Sequence, residues 1–307
     1  MLIYKLLRSV KGTTFEGVCT RVLHLIGKYH LLLIKTTDVN EGSVALMTSM
    51  RINSSERFGI FHVCYTYNMR YLRNAYTYRI LDASDKILGK RVKDLVLKND
   101  NVDYESCADS LQKSLIDSLS DLDSDYVLIL FDDLLIYKLT DDFIKASIKL
   151  LNKYKPLNCI FFDLCDPEIV NDKVILRLSN SDSYKRKKKW LTQDKIDGYN
   201  FNIYYTYRHR YPFFLNSAIV DRKKYIKKLL WYYNNISENN PHAVEMAAAD
   251  YKGPGFLYIA IPEDVLKVDI DFNRSAITSN RPYDPNAKIL YNKLSQNLNE
   301  DRLTIDL

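Results

Sequence analysis

Between residues 43 and 165 the chain alternates short apolar runs rich in strand formers with longer stretches of helical periodicity. Few architectures accommodate that alternation. SVALMTS (43–49), YTYRILDAS (76–84), YVLILFDD (126–133) and NCIFFDL (158–164) are predicted strands. YESCADSLQKSLIDSLSD (104–121) and DDFIKASIKLLNKY (141–154) are predicted helices, the second with Asp141 and Asp142 at its positive amino end. Strand, helix, strand in succession calls for an α/β fold with a mostly parallel sheet covered by helices. In such sheets ligands bind in the crevice beyond the carboxyl ends of the strands.

The strand ends are unusually polar. YVLILFDD stops on Asp132 and Asp133, two adjacent carboxylates that repel unless a cation or hydrogen-bond donors satisfy them. A hard oxygen site of this kind suits Mg²⁺ or Mn²⁺ holding a diphosphate, because the ion keeps open positions for phosphate oxygens. The plainer alternative is a solvated loop in which Asp132 caps a neighbouring element. YRILDASD stops on Asp82, Ser84 and Asp85, and Asp82 there could accept hydrogen bonds from a base or ribose. The end of the first run, in TSMRIN, offers Thr48 and Asn53 as further nucleotide contacts. Turn-forming Asp, Ser and Asn are ordinary after strands, so the weight lies in their joint occurrence.

Composition narrows the partners. With 307 residues, 47% hydrophobic and 27% charged, the chain has ample material for a core. No segment of eighteen uncharged apolar residues could cross a bilayer. Five scattered cysteines without a CxxC pair suggest neither a disulfide framework nor a zinc site, and a reducing cytoplasm fits best. Residues 1–42 form a basic amphipathic extension, predicted to be helical, with Lys5, Arg8, Arg21 and Lys28 among Leu, Val and Ile. It suits either packing on the chain's own core or lying on an anionic membrane surface. SYKRKKKWL (183–191) is read as a solvated loop or an anion contact, without the accompanying elements of a nucleic-acid binder.

The arrangement of TSMRIN, LDASD, DSLQKSLIDSLSD leading into DYVLILFDD, HRYPFFLNSAIVDRKKY and NNPHAVEM resembles nucleotide-sugar glycosyltransferases of GT-A fold, in particular the bacterial HlpA-like, family-2-like enzymes of surface polysaccharide synthesis. The resemblance covers residues 43–290 and leaves 291–307 as a tail. It implies Asp133 as a ligand of Mn²⁺ or Mg²⁺, Asp132 as its metal or ribose partner, Asp82 as a nucleotide contact, and Asn216 and Ser217 as donor contacts. Asn240, Pro241 and Glu245 match an NPxxxE pattern, which makes Glu245 the expected general base; Glu238, Asp250 and Asp271 are its competitors. A nucleotide-sugar donor, with a UDP-sugar favoured, would be used on a glycan or lipid-linked acceptor, with inversion. The expected setting is the cytoplasmic face of the plasma membrane, with peripheral contact to anionic lipid and no nucleic acid. The alternatives from other classes are a non-catalytic scaffold that has kept the fold and a peripheral anion-binding protein.

Overall fold

The computed structural model describes residues 15–33, 42–70, 72, 76–107, 111–171, 173–178, 191–206, 217–227, 257–272 and 283–298. Helix α1 (Phe15–Leu33) precedes strand β1 (Val44–Met50), helix α2 (Ser55–Arg70), β2 (Tyr78–Asp82), α3 (Lys86–Val96), β3 (Val102–Ser106), α4 (Leu111–Asp121) and β4 (Tyr126–Leu130). Then come β5 (Leu134–Tyr137), α5 (Asp141–Lys153), β6 (Leu157–Phe161), β7 (Asp163–Val170) and β8 (Lys173–Leu178). The remaining elements are β9 (Thr192–Ile196), β10 (Tyr199–Thr206), β11 (Ala218–Asp221), β12 (Leu257–Pro262), β13 (Leu266–Asp269) and α6 (Pro285–Gln296).

Nine strands form one sheet in the order β3-β2-β1-β4-β11-β6-β12-β10-β9. Seven of them run in one direction, and only β11 and β10 run against it. The expected mostly parallel α/β sheet is therefore present. Its central strands are apolar on both faces because both faces are covered. Leu46, Leu128, Ile160 and Ile219 join one core with Phe61 of α2, Val92 of α3 and Phe143 of α5. Ala45, Val127, Cys159 and Val220 join the opposite core with Leu115 and Leu119 of α4.

Two departures from expectation have simple causes. Residues 104–106, expected to open a helix, belong to β3, and the helix begins at Leu111. Strand β3 is the edge of the sheet, with one neighbour, and only Val102 in it is buried, so no apolar alternation announces it. The run expected as one strand over 158–164 divides at Phe162, and β7 leaves for a second sheet of order β5-β13-β7-β8.

Helix α2 joins the two sheets. Phe61 and Tyr65 point into the core of the large sheet, while Ile60, Val63, Cys64 and Tyr67 enter a third core with Leu135 of β5 and Leu290 of α6. Asn68 fixes its register. The side-chain Nδ2 donates to the Leu134 carbonyl at 3.0 Å and Oδ1 accepts from the Ile136 amide at 2.8 Å, so a buried side chain serves β5 as a neighbouring strand would.

Helix α1 has two faces. Leu31 is in the main core, His30 stacks on Tyr258 of β12, and the Tyr258 hydroxyl donates to the Gly27 carbonyl at 3.3 Å. On the other side Val18, Val22, Leu25, Ile26 and Tyr29 form a stripe at helical spacing, each about half exposed, with Arg21 and Lys28 exposed beside it. No described helix is long and apolar enough to cross a membrane. Asn216, Glu245 with its NPxxxE segment, His242 and the lysine run of 185–189 lie outside the described residues.

Candidate functional site

The order β3-β2-β1-β4 reverses the direction of chain progression between β1 and β4. From β1 the chain proceeds through α2 to β2 on one side, and from β4 it proceeds to β6 on the other. Such a switch point opens a crevice at the carboxyl ends of the two strands, because the connections leave in opposite directions. Residues 51–54 form one wall and residues 131–133 the other. Ser217 enters the same edge: β11 pairs Ala218 with Ile129 and with Phe161, which places Ser217 one step further toward the crevice. It is fully buried, and among the described residues its hydroxyl has no hydrogen-bond partner.

The amino end of α2 faces this crevice. Ser54 caps it, accepting the Arg57 amide on its hydroxyl at 3.0 Å, and the cap sets Arg57 in the first turn. From there the guanidinium reaches three carboxylates. Nε donates to Asp132 at 2.7 Å, Nη2 to Asp133 at 3.0 Å and Nη1 to Asp271 at 2.5 Å. The chain brings Asp271 there through β13, whose Asp269 pairs with Leu134 of β5, and the Ile270 amide donates to the Asp133 carbonyl. Asp269 in turn accepts the Asp271 amide at 2.9 Å.

Among the described residues, three carboxylates meet one guanidinium, with Asp269 close behind. Burial and the neighbouring Asp132 push the Asp133 carboxyl well above the ordinary carboxylate range; Arg57 opposes that rise, and Asp269 and Asp271 add to it. Burial also works against the charge on Arg57, but Asp132, Asp133 and Asp271 outweigh it and hold the guanidinium protonated. Arg57 is 14% exposed and Asp271 4%. Charge-assisted bonds at such sites are strong, and an unpaired member would be costly.

The other expected contacts divide into surface and interior. Asn53 is exposed at the crevice mouth. Thr48 is not available to a nucleotide: it is buried, with its hydroxyl between the Tyr78 hydroxyl at 2.7 Å and the Leu130 carbonyl at 3.0 Å. Asp82 is also buried, and both oxygens are engaged within the protein, one by the Ser84 amide and one by the Tyr104 hydroxyl, each at 2.8 Å. It shapes the wall, since Ser84 in turn receives the Ile52 amide at 2.7 Å and ties the loop after β2 to the loop after β1. Asp85 caps α3, accepting from the Ile87 and Leu88 amides.

A divalent ion fits these residues poorly. The oxygens are of the right hardness, but the Asp132 and Asp133 carboxylates are directed at a guanidinium, and among the described residues no group of three His, Cys, Asp or Glu side chains could hold a metal. Arg57 was not foreseen from the sequence, and Asp271, weighed there as a general base, stands here as a partner of Arg57. The available signals were VDIDF (268–272), a third apolar run ending in acids, and an arginine in the first turn of the helix that leaves the switch point. An open cavity of about 680 Å³ lies elsewhere, against α5 and the β9–β10 turn, lined by Lys138, Lys145, Lys149, Asp197 and Tyr199 among others, with none of the strand-end acids in its wall.

No protein-family model matches the chain, and no curated protein matches it in sequence. Several solved structures align with it at low identity and TM-scores below 0.5. S. aureus TarS aligns over 74% of this chain and 36% of its own, with 11% identity and a TM-score of 0.46. The mannosyltransferase PcManGT from Pyrobaculum calidifontis, in complex with GDP-Man and Mn²⁺, aligns over 90% of this chain and 77% of its own, with 14% identity and a TM-score of 0.44. The bifunctional IspDF from Campylobacter jejuni aligns over 71% of this chain and 49% of its own, with 11% identity and a TM-score of 0.35. The chain thus spans about a third of the length of TarS and half that of IspDF.

Proposed function

We propose that this protein is a glycosyltransferase that moves a sugar from a nucleotide-sugar donor to a glycan or lipid-linked acceptor in bacterial surface polysaccharide assembly. The observation that carries the reading is the crevice at the β1/β4 switch point, walled by the acids that end β4 and faced by the capped amino end of α2. A nucleoside diphosphate is the ligand class that such a crevice takes, since helix amino ends and arginine favour phosphate oxygens. Asn53 and Ser217 line the donor side, Asn216 adjoins Ser217 in sequence, and a UDP-sugar is the favoured donor.

Glu245 takes the proton from the acceptor hydroxyl as that oxygen attacks the anomeric carbon, and the attack inverts the configuration there. The departing nucleoside diphosphate is met by the guanidinium of Arg57. The acceptor's membrane setting is supported by the exposed stripe of α1, where apolar side chains flanked by Arg21 and Lys28 match the chemistry of an anionic bilayer surface.

The test is calorimetric binding of UDP, GDP and CMP, followed by donor turnover with the sugar form of whichever nucleotide binds. One nucleotide is expected to bind, and Glu245→Gln is expected to lower kcat by about 100-fold or more while leaving Kd unchanged. If none binds, the fold serves as a non-catalytic scaffold and this reading falls.

A further inference from the structure

We infer that Arg57 occupies, as a built-in cation, the position that a divalent metal would take at this strand end, so that the ligand of the crevice is bound without a metal ion. The inference concerns the same crevice as the proposed function and, for the identity of its ligand, rests on that reading.

Two adjacent carboxylates at the end of a buried strand need a positive partner. Here that partner is covalently part of the chain. The guanidinium makes one hydrogen bond to each of Asp132, Asp133 and Asp271. It approaches from a helix whose position is fixed independently of the site. Ser54 caps the first turn, Asn68 is bonded to both ends of the Leu134–Ile136 segment, and Glu56 is paired with Lys288 of α6 at 3.9 Å. A metal ion bound through the Oδ2 atoms of Asp132 and Asp133 would have to displace Arg57, which would leave a largely buried guanidinium without those counter-ions.

The three bonds use three of the five N–H donors that a guanidinium carries. Two donors remain, one on each terminal nitrogen, on a group that is still 14% exposed. Those are the groups that a phosphate oxygen entering the crevice would meet, in the geometry that favours bidentate anion binding. The acids then act as positioning residues: they hold the guanidinium plane and keep it charged, and do not themselves ligate an ion.

The experiment has two arms on the full-length protein. The first is Mn²⁺ titration of the protein alone, read by the loss of the free-ion electron paramagnetic resonance signal, with Asp133→Asn as control. No stoichiometric Mn²⁺ binding is expected. Binding of one Mn²⁺ that disappears in Asp133→Asn overturns the inference, and this arm needs no Arg57 variant to fold. The second arm is calorimetry of UDP and GDP in EDTA and in Mn²⁺. Equal affinity in the two buffers is expected, together with a loss on the order of tenfold in Arg57→Gln, with circular dichroism verifying its fold and Arg57→Lys retaining part of the affinity. Binding that requires Mn²⁺ overturns the inference. If neither nucleotide binds in either buffer, the glycosyltransferase reading fails, and the Mn²⁺ titration alone decides whether Arg57 has replaced the metal.

Discussion

Asp133 is held in place against its own charge. Arg57 offers it one hydrogen bond, but the same guanidinium is shared with Asp132 and Asp271, so among the described residues three carboxylates share one cation. Groups kept for binding or catalysis often sit at such a disadvantage to stability. Replacing Asp133 with Asn removes a carboxyl whose charged form its surroundings disfavour and keeps the shape and an acceptor for Nη2. The expected outcome is a more stable protein, by about 1 kcal/mol or roughly 2 °C in Tm for a chain of this length, measured by differential scanning calorimetry at neutral pH. A lower Tm would mean that Asp133 contributes more to holding Arg57 than it loses to repulsion. Thr48 illustrates the opposite case among the residues singled out in the sequence. Its hydroxyl is satisfied twice inside the core, and its place in TSMRIN reflects packing between β1, β2 and β4 rather than contact with a ligand.

At the level of elements, α1 and α5 make separable claims. The stripe on α1 points away from the face that docks through Leu31, His30 and Gly27, so its apolar residues are not needed for attachment to the sheet. Sedimentation with vesicles of mixed phosphatidylglycerol and phosphatidylcholine should carry the protein down at low salt, and Leu25→Asp with Ile26→Asp should abolish it without changing the far-ultraviolet circular dichroism spectrum. Equal sedimentation of the variant would remove the bilayer as the partner of this face. Helix α5 is anchored at its carboxyl end by Asp194 of β9, which pairs with Lys153 at 2.5 Å and accepts the Tyr154 hydroxyl at 2.8 Å. Burial of Asp194 opposes its ionisation, but the hydrogen bonds from Lys153 and Tyr154 prevail and hold its carboxyl below the usual range. A depressed carboxylate stabilises the fold above its unfolded-state value and loses that contribution as pH falls through its folded-state value. Asp194→Asn is therefore expected to cost on the order of 1 kcal/mol at pH 7, a difference that urea denaturation should show shrinking as the pH approaches 3. A gap that stays constant across that range would assign the loss to packing instead of charge.

For the whole molecule, the parts read correctly from sequence are those where local pattern and final environment coincide. Val44–Met47 and Tyr126–Leu130 are apolar on successive residues because both faces of β1 and β4 are covered, and α5 was readable from its periodicity and its acidic first turn. The polar edge strand β3 carried no such signal, and neither did the second sheet, whose strands come from three separate stretches of the chain. The site divides in the same way. Asp132 and Asp133 announced themselves as adjacent acids at a strand end, a property that the sequence alone determined, since a buried strand must stop where charge begins. Their partner did not. Arg57 lies 75 positions before Asp132 and Asp271 lies 139 positions after it, and only the switch point between β1 and β4, with β13 folded alongside β5, brings them within hydrogen-bonding distance. Sequence thus set where negative charge would collect, because that depends on neighbours along the chain. Tertiary structure decided what neutralises it, because Coulomb energy depends on distance in space, and among the described residues the cation bonded to these acids is Arg57.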